Sequence, residues 1–332
     1  MTKSDAAAAG EGNAERLGSD GLFAAGSTER ERMTEQVGTA AWLRHAERIL
    51  ADAGVPTPDV DAVLLLGHVT DRSRGEVGVD AVLDRAIDAE ATARLDALLS
   101  RRAAREPLQH LTGRAPFRRL ELFVGPGVFV PRPETEQLVG LALDELAACR
   151  EPEPVVVDLG TGSGAIALSI ALEEPRARVT ALEASAEARV WTQRNLDAAQ
   201  LPNIRLVAGD MADALEEMAG TLSLLVSNPP YVPAEAIPRD IEVRLHDPAQ
   251  ALYSGVDGLD HIRIIARRGR LLLRPQGVLL LEHGEQQGAE IRAVIAAAGW
   301  HEPVTLSDAT GRDRFTRALS PGPMTVPDPV GV

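Results

Sequence analysis

From residue 155 to residue 226 short apolar runs and helical segments take turns along the chain. Val155 to Val157 is followed by a helix from Ala165, Val179 to Leu182 by a helix over Ala186 to Ala199, and Ile204 to Val207 leads on to Leu222 to Val226. Strands separated by helical stretches of roughly 10 to 15 residues imply a parallel sheet with right-handed crossovers. A further strand, Val278 to Glu282, precedes a helix near Gln287 to Ala298. The fold class is therefore α/β. Sheets of this kind hold ligands at the C-terminal ends of their strands, so residues at those ends are the ones to inspect.

The rest of the chain divides around this core. With 332 residues, 45% of them apolar, there is enough for one large domain and a smaller one. Residues 1–38 are rich in Ala, Gly, Ser and Glu and lack the large apolar residues needed to order themselves, so a disordered tail is expected. Residues 320–332 carry four prolines and read the same way. Over 39–106 apolar positions recur at helical spacing, as at Trp42, Ala46, Ile49 and Leu50. A small all-helical domain is predicted there, with breaks at Gly54 to Pro58 and around Gly75 to Asp80. Residues 107–131 show short extended pieces with turn signals and predict a β-hairpin linker. The large domain then covers 132–319.

Composition excludes several classes. Forty-nine acids against 34 bases give a formal net charge of −15, so the average surface repels polyanions and direct nucleic-acid binding is not expected. No run of about 18 apolar residues and no leader pattern occurs, which predicts a cytoplasmic protein without a membrane partner. Cys149 is the only cysteine, so neither an intramolecular disulfide nor a zinc site of several thiolates is available, and no metal is expected. His110 and His283 are first read as structural, with His283 at a strand end the histidine to test. Nothing demands a partner subunit, so a monomer is expected.

Two strand ends carry unusual residues. Asp158-Leu159-Gly160-Thr161-Gly162-Ser163-Gly164 follows the first strand and opens a helix. Glycines there allow a tight turn and close approach of a ligand, and the helix N-terminus favours an anionic group. The spacing is GxGxG rather than GxGxxG, with Ala165 where a dinucleotide fold wants its third glycine. Glu183, about 20 positions on, ends the second strand and can accept hydrogen bonds from a ribose diol. Asp210, after the third strand, is a candidate acceptor for an adenine amino group, or equally the N-cap of a following helix.

The second unusual end is Ser227-Asn228-Pro229-Pro230-Tyr231-Val232-Pro233. Successive prolines hold the backbone extended past the strand and leave carbonyls as the local hydrogen-bonding groups. The Asn228 side-chain oxygen and the Pro229 carbonyl can together grip both hydrogens of a planar NH₂ group, on which the Tyr231 ring can stack. Such a nitrogen is a poor nucleophile because its lone pair is delocalised. Accepting both N–H bonds returns electron density to it and aims it at an electrophile.

With these residues in view the chain resembles the S-adenosylmethionine-dependent methyltransferases of the seven-stranded class, and among them the peptide chain release factor N5-glutamine methyltransferases. The resemblance spans roughly residues 40–319. It rests on "PLQHLTG" from Pro107, "VPRPETE" from Val130, "DLGTGSGAIAL" from Asp158, "SNPPYVP", "GVDGLDHIRII" from Gly255, "LEHGEQQG" from Leu281 and "GRDRF" from Gly311. It implies a Rossmann-like methyltransferase sheet behind a helical domain that docks the release factor. It implies S-adenosylmethionine held by Asp158, Gly160, Thr161, Gly162, Ser163, Gly164, Glu183, Asp210, Met211 and Asn228, with S-adenosylhomocysteine as product. It also implies a glutamine pocket of Asn228, Pro229, Pro230, Tyr231 and Phe117, and a role in translation termination through methylation of the GGQ glutamine of class 1 release factors.

Two departures stand out: Glu183 where the family often carries Asp, and Met211 where it can carry an aromatic. Three other readings remain open to the residues. An N6-adenine DNA methyltransferase uses an NPPY loop by the same logic, but the acidic balance and the lack of a basic recognition segment weigh against it. A sister enzyme acting on a glutamine of a ribosomal protein would share the loop, and only the N-terminal domain would separate the two. A non-catalytic module that kept the cofactor pocket would not need an intact NPPY.

Overall fold

The computed structural model describes residues 37–323, so the tails expected over 1–38 and 320–332 fall largely outside the described residues. The described chain opens with β1 (Val37–Gly38), α1 (Thr39–Asp52), α2 (Pro58–Thr70), α3 (Arg74–Val82), β2 (Ala86–Ile87) and α4 (Ala89–Ala103). Trp42, Ala46 and Leu50 on one stripe of α1 bury against Leu65 and Leu66 of α2 and Leu95 and Leu99 of α4. Fully burying a side chain of this size stabilises by about 1.5 to 3 kcal/mol.

Three details differ from the sequence expectations. The stretch Gly75 to Asp80 is helical, not a break. Ser73 accepts from the Glu76 backbone while the Glu76 carboxylate takes the Ser73 N–H, a capping box that starts α3 despite Gly75 and Gly78. Val37 and Gly38, assigned to the tail, pair antiparallel with Ile87 and Ala86, so the helical unit also carries a two-residue ladder. At the other end Ser320 is fully buried and bonds Gly277 and Gln276 through its backbone, so packing runs beyond residue 319.

Between the two units lie α5 (Leu108–Thr112), then β3 (Arg114–Phe117) and β4 (Leu120–Phe123), which form an antiparallel hairpin. The hairpin is thus shorter than the stretch 107–131 and follows a helical turn. Asn195 fastens it to the large unit by accepting from the Phe123 N–H at 2.7 Å and donating to the Phe123 carbonyl at 3.0 Å.

The large unit continues with α6 (Thr135–Ala148), β5 (Val155–Leu159), α7 (Ala165–Glu173), β6 (Arg178–Glu183), α8 (Ala186–Ala199), β7 (Ile204–Ala208) and β8 (Leu222–Ser227). Then come α9 (Ile241–His246), α10 (Ala249–Leu252), α11 (Asp260–Leu272), β9 (Leu273–Glu282), α12 (Gly288–Ala297), β10 (His301–Ser307) and β11 (Asp313–Leu319). The seven strands order as β10-β11-β9-β8-β5-β6-β7. Neighbours from β9 to β7 are parallel, whereas β11 and β10 run antiparallel at one edge.

Successive strand residues serve opposite faces. Val156, Leu224 and Leu280 pack under α6 and α7, while Val157, Leu225, Leu279 and Leu281 pack under α11 and α12. Both faces being covered explains why these strands read as unbroken apolar runs. The chain leaves β5 toward β6 on one side and passes from β8 to β9 on the other, so loops diverge between β5 and β8. The divergence opens a crevice at their C-terminal ends.

Candidate active site

That crevice is a cleft of about 800 Å³, within the usual range for small-molecule sites. The Gly-rich turn after β5 forms one wall. Gly160 and Gly162 have φ of +70° and +59°, where a side chain is strained. A Cβ on Gly162 would meet nothing within 4 Å and would stand in open space at the wall. Helix α8 holds the turn from behind: Thr192 donates to the Gly162 carbonyl at 2.5 Å and Asn195 to the Ser163 carbonyl at 2.9 Å. With those carbonyls engaged, the turn presents a backbone cradle to the cleft.

Glu183, at the end of β6, accepts from the Gly162 N–H through Oε2 and from the Ser185 N–H through Oε1, both at 2.8 Å. Each oxygen keeps a further lone pair, and Glu183 lines the cleft. Asp210 and Met211 line it beyond β7. Asp210 Oδ1 accepts from the Ala212 N–H at 2.8 Å, which is a turn rather than the N-cap of a regular helix. Cradle, carboxylate and apolar Met211 fit a nucleoside-like ligand with a polar diol.

Asn228 follows the last residue of β8, so sheet register fixes its position. Its Nδ2 donates to Thr135 Oγ1 at 3.2 Å, which leaves Oδ1 as the outward end of the amide. Among the described residues neither Asn228 Oδ1 nor the Pro229 carbonyl accepts a hydrogen bond. The loop is held by its flanks instead. Val232 donates to the Leu252 carbonyl at 2.8 Å and accepts from Ser254 at 2.9 Å, and Ala234 donates to Gly255 at 2.8 Å. The Tyr231 carbonyl accepts from Gln287 Nε2 at 3.0 Å, and Gly258 passes so close that a Cβ there would sit 2.4 Å from that oxygen. Burial, with the Glu282 charge adding to it, pushes the Tyr231 hydroxyl up to about 12, so the ring stays neutral.

Cleft walls include Gly160, Thr161, Gly162, Ser163, Glu183, Asp210, Met211, Asn228, Pro229, Pro230 and Tyr231. Three expected site residues lie outside the walls. Phe117 is 1% exposed within the core that includes Leu122 and Leu138, because its alternate position on β3 faces inward. Asp158 is fully buried beneath the turn and takes the Thr161 hydroxyl at 2.6 Å. Gly164 caps α7 from below with φ +85°, close to Leu168 and Thr192. His283 is likewise structural, with one ring nitrogen on the Gly284 carbonyl and the other on Thr316.

Sequence reasoning passed over Phe129, Arg132 and Thr135. The Arg132 guanidinium lies 5.1 Å from the Phe129 ring centroid and bonds Asp247 at 2.7 Å, and all three residues line the cleft. The run "VPRPETE" from Val130 contains Arg132 and Thr135 and directly follows Phe129, and was the available signal for them. Among the described residues no group of three or more His, Cys, Asp or Glu is placed to hold a metal ion, and no helix is long and apolar enough to cross a membrane.

Comparison with known proteins places this geometry. Residues 41–113 match the PrmC N-terminal domain and residues 126–255 the methyltransferase small domain. The release factor glutamine methyltransferase of Streptomyces coelicolor is 47% identical over 280 residues, covering 84% of this chain and 96% of its own. Those of Bifidobacterium longum and Deinococcus radiodurans are 44% and 43% identical, each covering 84% of this chain and 98% of their own. At these identities, over more than four-fifths of its length, the chain belongs to the release factor glutamine methyltransferase family.

Proposed function

We propose that this protein transfers a methyl group from S-adenosylmethionine to the N5 amide nitrogen of the glutamine in the GGQ motif of class 1 peptide chain release factors. The observation that carries the reading is the pair of free acceptors, Asn228 Oδ1 and the Pro229 carbonyl, at the end of β8 beside a nucleoside-sized cradle. An amide NH₂ has two hydrogens to give, and two acceptors on a stiff loop fix both. Taking them raises electron density on nitrogen and sets its approach. The neutral Tyr231 ring offers a face for the amide plane.

Gly160 to Ser163, Glu183, Asp210 and Met211 would hold the cofactor. When bound, S-adenosylmethionine supplies an electrophilic sulfonium methyl. The chain's own task is orientation and exclusion of water, with the proton leaving the amide after transfer and no covalent enzyme intermediate. The helical unit over Thr39–Ala103 is the surface we assign to release factor docking. Incubation with labelled S-adenosylmethionine and, in parallel, a class 1 release factor, ribosomal proteins and duplex DNA tests the reading. Label on the release factor alone supports it, and label confined to either other substrate refutes the substrate assignment.

A further inference from the structure

Strands β8 and β9 pair in parallel with Ser227 opposite Leu281, so Asn228 and Glu282 are neighbours one step further along the ladder. In a parallel pair, opposed residues share a face. Glu282 is 2% exposed, and its Oε2 has no hydrogen-bond partner. The side chains of Thr135 and Asn228 face its carboxylate and offer it O–H and N–H donors. Thr135, itself buried, also accepts from Asn228 Nδ2 at 3.2 Å. A carboxylate with so little to bind is costly to bury without purpose. It does not line the cleft, so it does not touch substrate.

We propose that Glu282, through Thr135 and directly, is a positioning residue that holds the NH₂ end of Asn228 inward and so presents Oδ1 to the substrate amide. The inference rests on the proposed methyl-transfer role of Asn228. A carboxylate accepts only, so it admits one orientation of the Asn228 amide and also draws charge toward Oδ1 through the polarised N–H bonds. A protonated Glu282 could donate instead and would tolerate the reversed amide. The charged and titratable groups facing it are Arg314 on β11, Glu134 ahead of α6 and Tyr231 beyond β8. Burial pushes the Glu282 carboxyl up to about 7, against the pull of Thr135 and Arg314, which puts the switch within the working range.

Two readouts on Glu282→Gln test this. The first is the side-chain ¹⁵N–¹H₂ signal of Asn228, titrated from pH 5 to 9 in the full chain. It is expected to shift with a midpoint near 7 in the wild type and not in the variant. A wild-type signal that ignores pH, or a variant that titrates identically, overturns the proposal whatever the substrate proves to be. The second is steady-state methyl transfer on the substrate that the wild type modifies. Expected is a fall in kcat of about 10-fold or more, the scale for losing an outer hydrogen bond that orients a functional group. KM for S-adenosylmethionine should stay near the wild-type value and the acid limb of the pH profile should vanish, with Glu282→Asp recovering part of the rate. Wild-type kcat with an unchanged profile overturns the proposal. Absence of methylation of release factor by the wild type refutes the substrate reading alone, because the amide titration decides the role of Glu282 independently.

Discussion

Arg102 of α4 and Glu242 of α9 stand 140 residues apart and meet at 2.9 Å, with side chains 6% and 11% exposed. Arg102 also takes Asp61 at 2.6 Å, and Arg105 grips both oxygens of Glu242 at 2.8 and 2.6 Å. The helical unit therefore holds the helix that follows the NPPY loop, whose Asp240 and Val243 line the cleft. The helical unit and the cleft are joined by charge rather than by apolar contact alone.

Removing Glu242 tests that joint. Glu242→Gln leaves two largely buried guanidinium groups short of a partner and should destabilise the protein by about 3 kcal/mol or more, read from urea unfolding. Burial pushes the carboxyl up, but bonds from Arg105, Asp240 and Arg102 outweigh it and hold it below the usual range. A lowered folded-state value means stability present at neutral pH and lost on acidification. The variant should therefore lose less stability than the wild type as the pH falls below 4.5, the ordinary Glu value. Equal losses would show that the pair is screened.

Asp158 has the opposite sign. Burial lifts its carboxyl from 3.8 to about 7, against the bonds from Thr161 and Ala167. Between those values the folded state keeps a proton that the unfolded chain releases, so this group's contribution to stability falls as pH rises from 4 to 7. The span corresponds to a decline on the order of 4 kcal/mol. Asp158→Asn should flatten that part of the stability curve. An unchanged slope would mean the carboxyl is ionised throughout.

Asn228→Ala removes one of the two substrate acceptors without touching the Gly-rich turn. Methyl transfer should slow by about 100-fold or more while S-adenosylmethionine affinity changes little. Turnover at the wild-type rate would remove Asn228 from the chemistry.

For Glu183→Ala the emphasis reverses. Cofactor binding by calorimetry should weaken by about 1.5 to 3 kcal/mol through loss of charge-assisted hydrogen bonds. Because Glu183 also holds the Gly162 and Ser185 N–H groups, the melting temperature should fall too. Wild-type affinity would refute the assignment.

How much of this was legible in the sequence depends on range. The helix Ala186–Ala199 and the strand ends at Glu183 and Ser227 follow from local period and from breakers, and they carry the Gly-rich turn and the NPPY loop. Helix α3 was missed because two glycines outweighed the capping box of Ser73 and Glu76, which encloses the first of them. Strands β10 and β11 were missed because an antiparallel edge after a parallel sheet has no crossover to announce it. Glu282 comes beside Asn228 only once β8 and β9 are in register, and Thr135 only once α6 packs on the sheet, relations no local window contains. Phe117 sits within a family-like stretch, yet strand alternation turns it into the core.

The most direct test of the central claim is to incubate wild type and Asn228→Ala with S-adenosylmethionine and a class 1 release factor, then locate any added methyl by peptide mass spectrometry. The expected result is a gain of one CH₂ on the side chain of the GGQ glutamine with the wild type and little or none with the variant. A methyl on any other residue, or equal methylation by the variant, would contradict the assignment of the NPPY loop to glutamine N5 transfer.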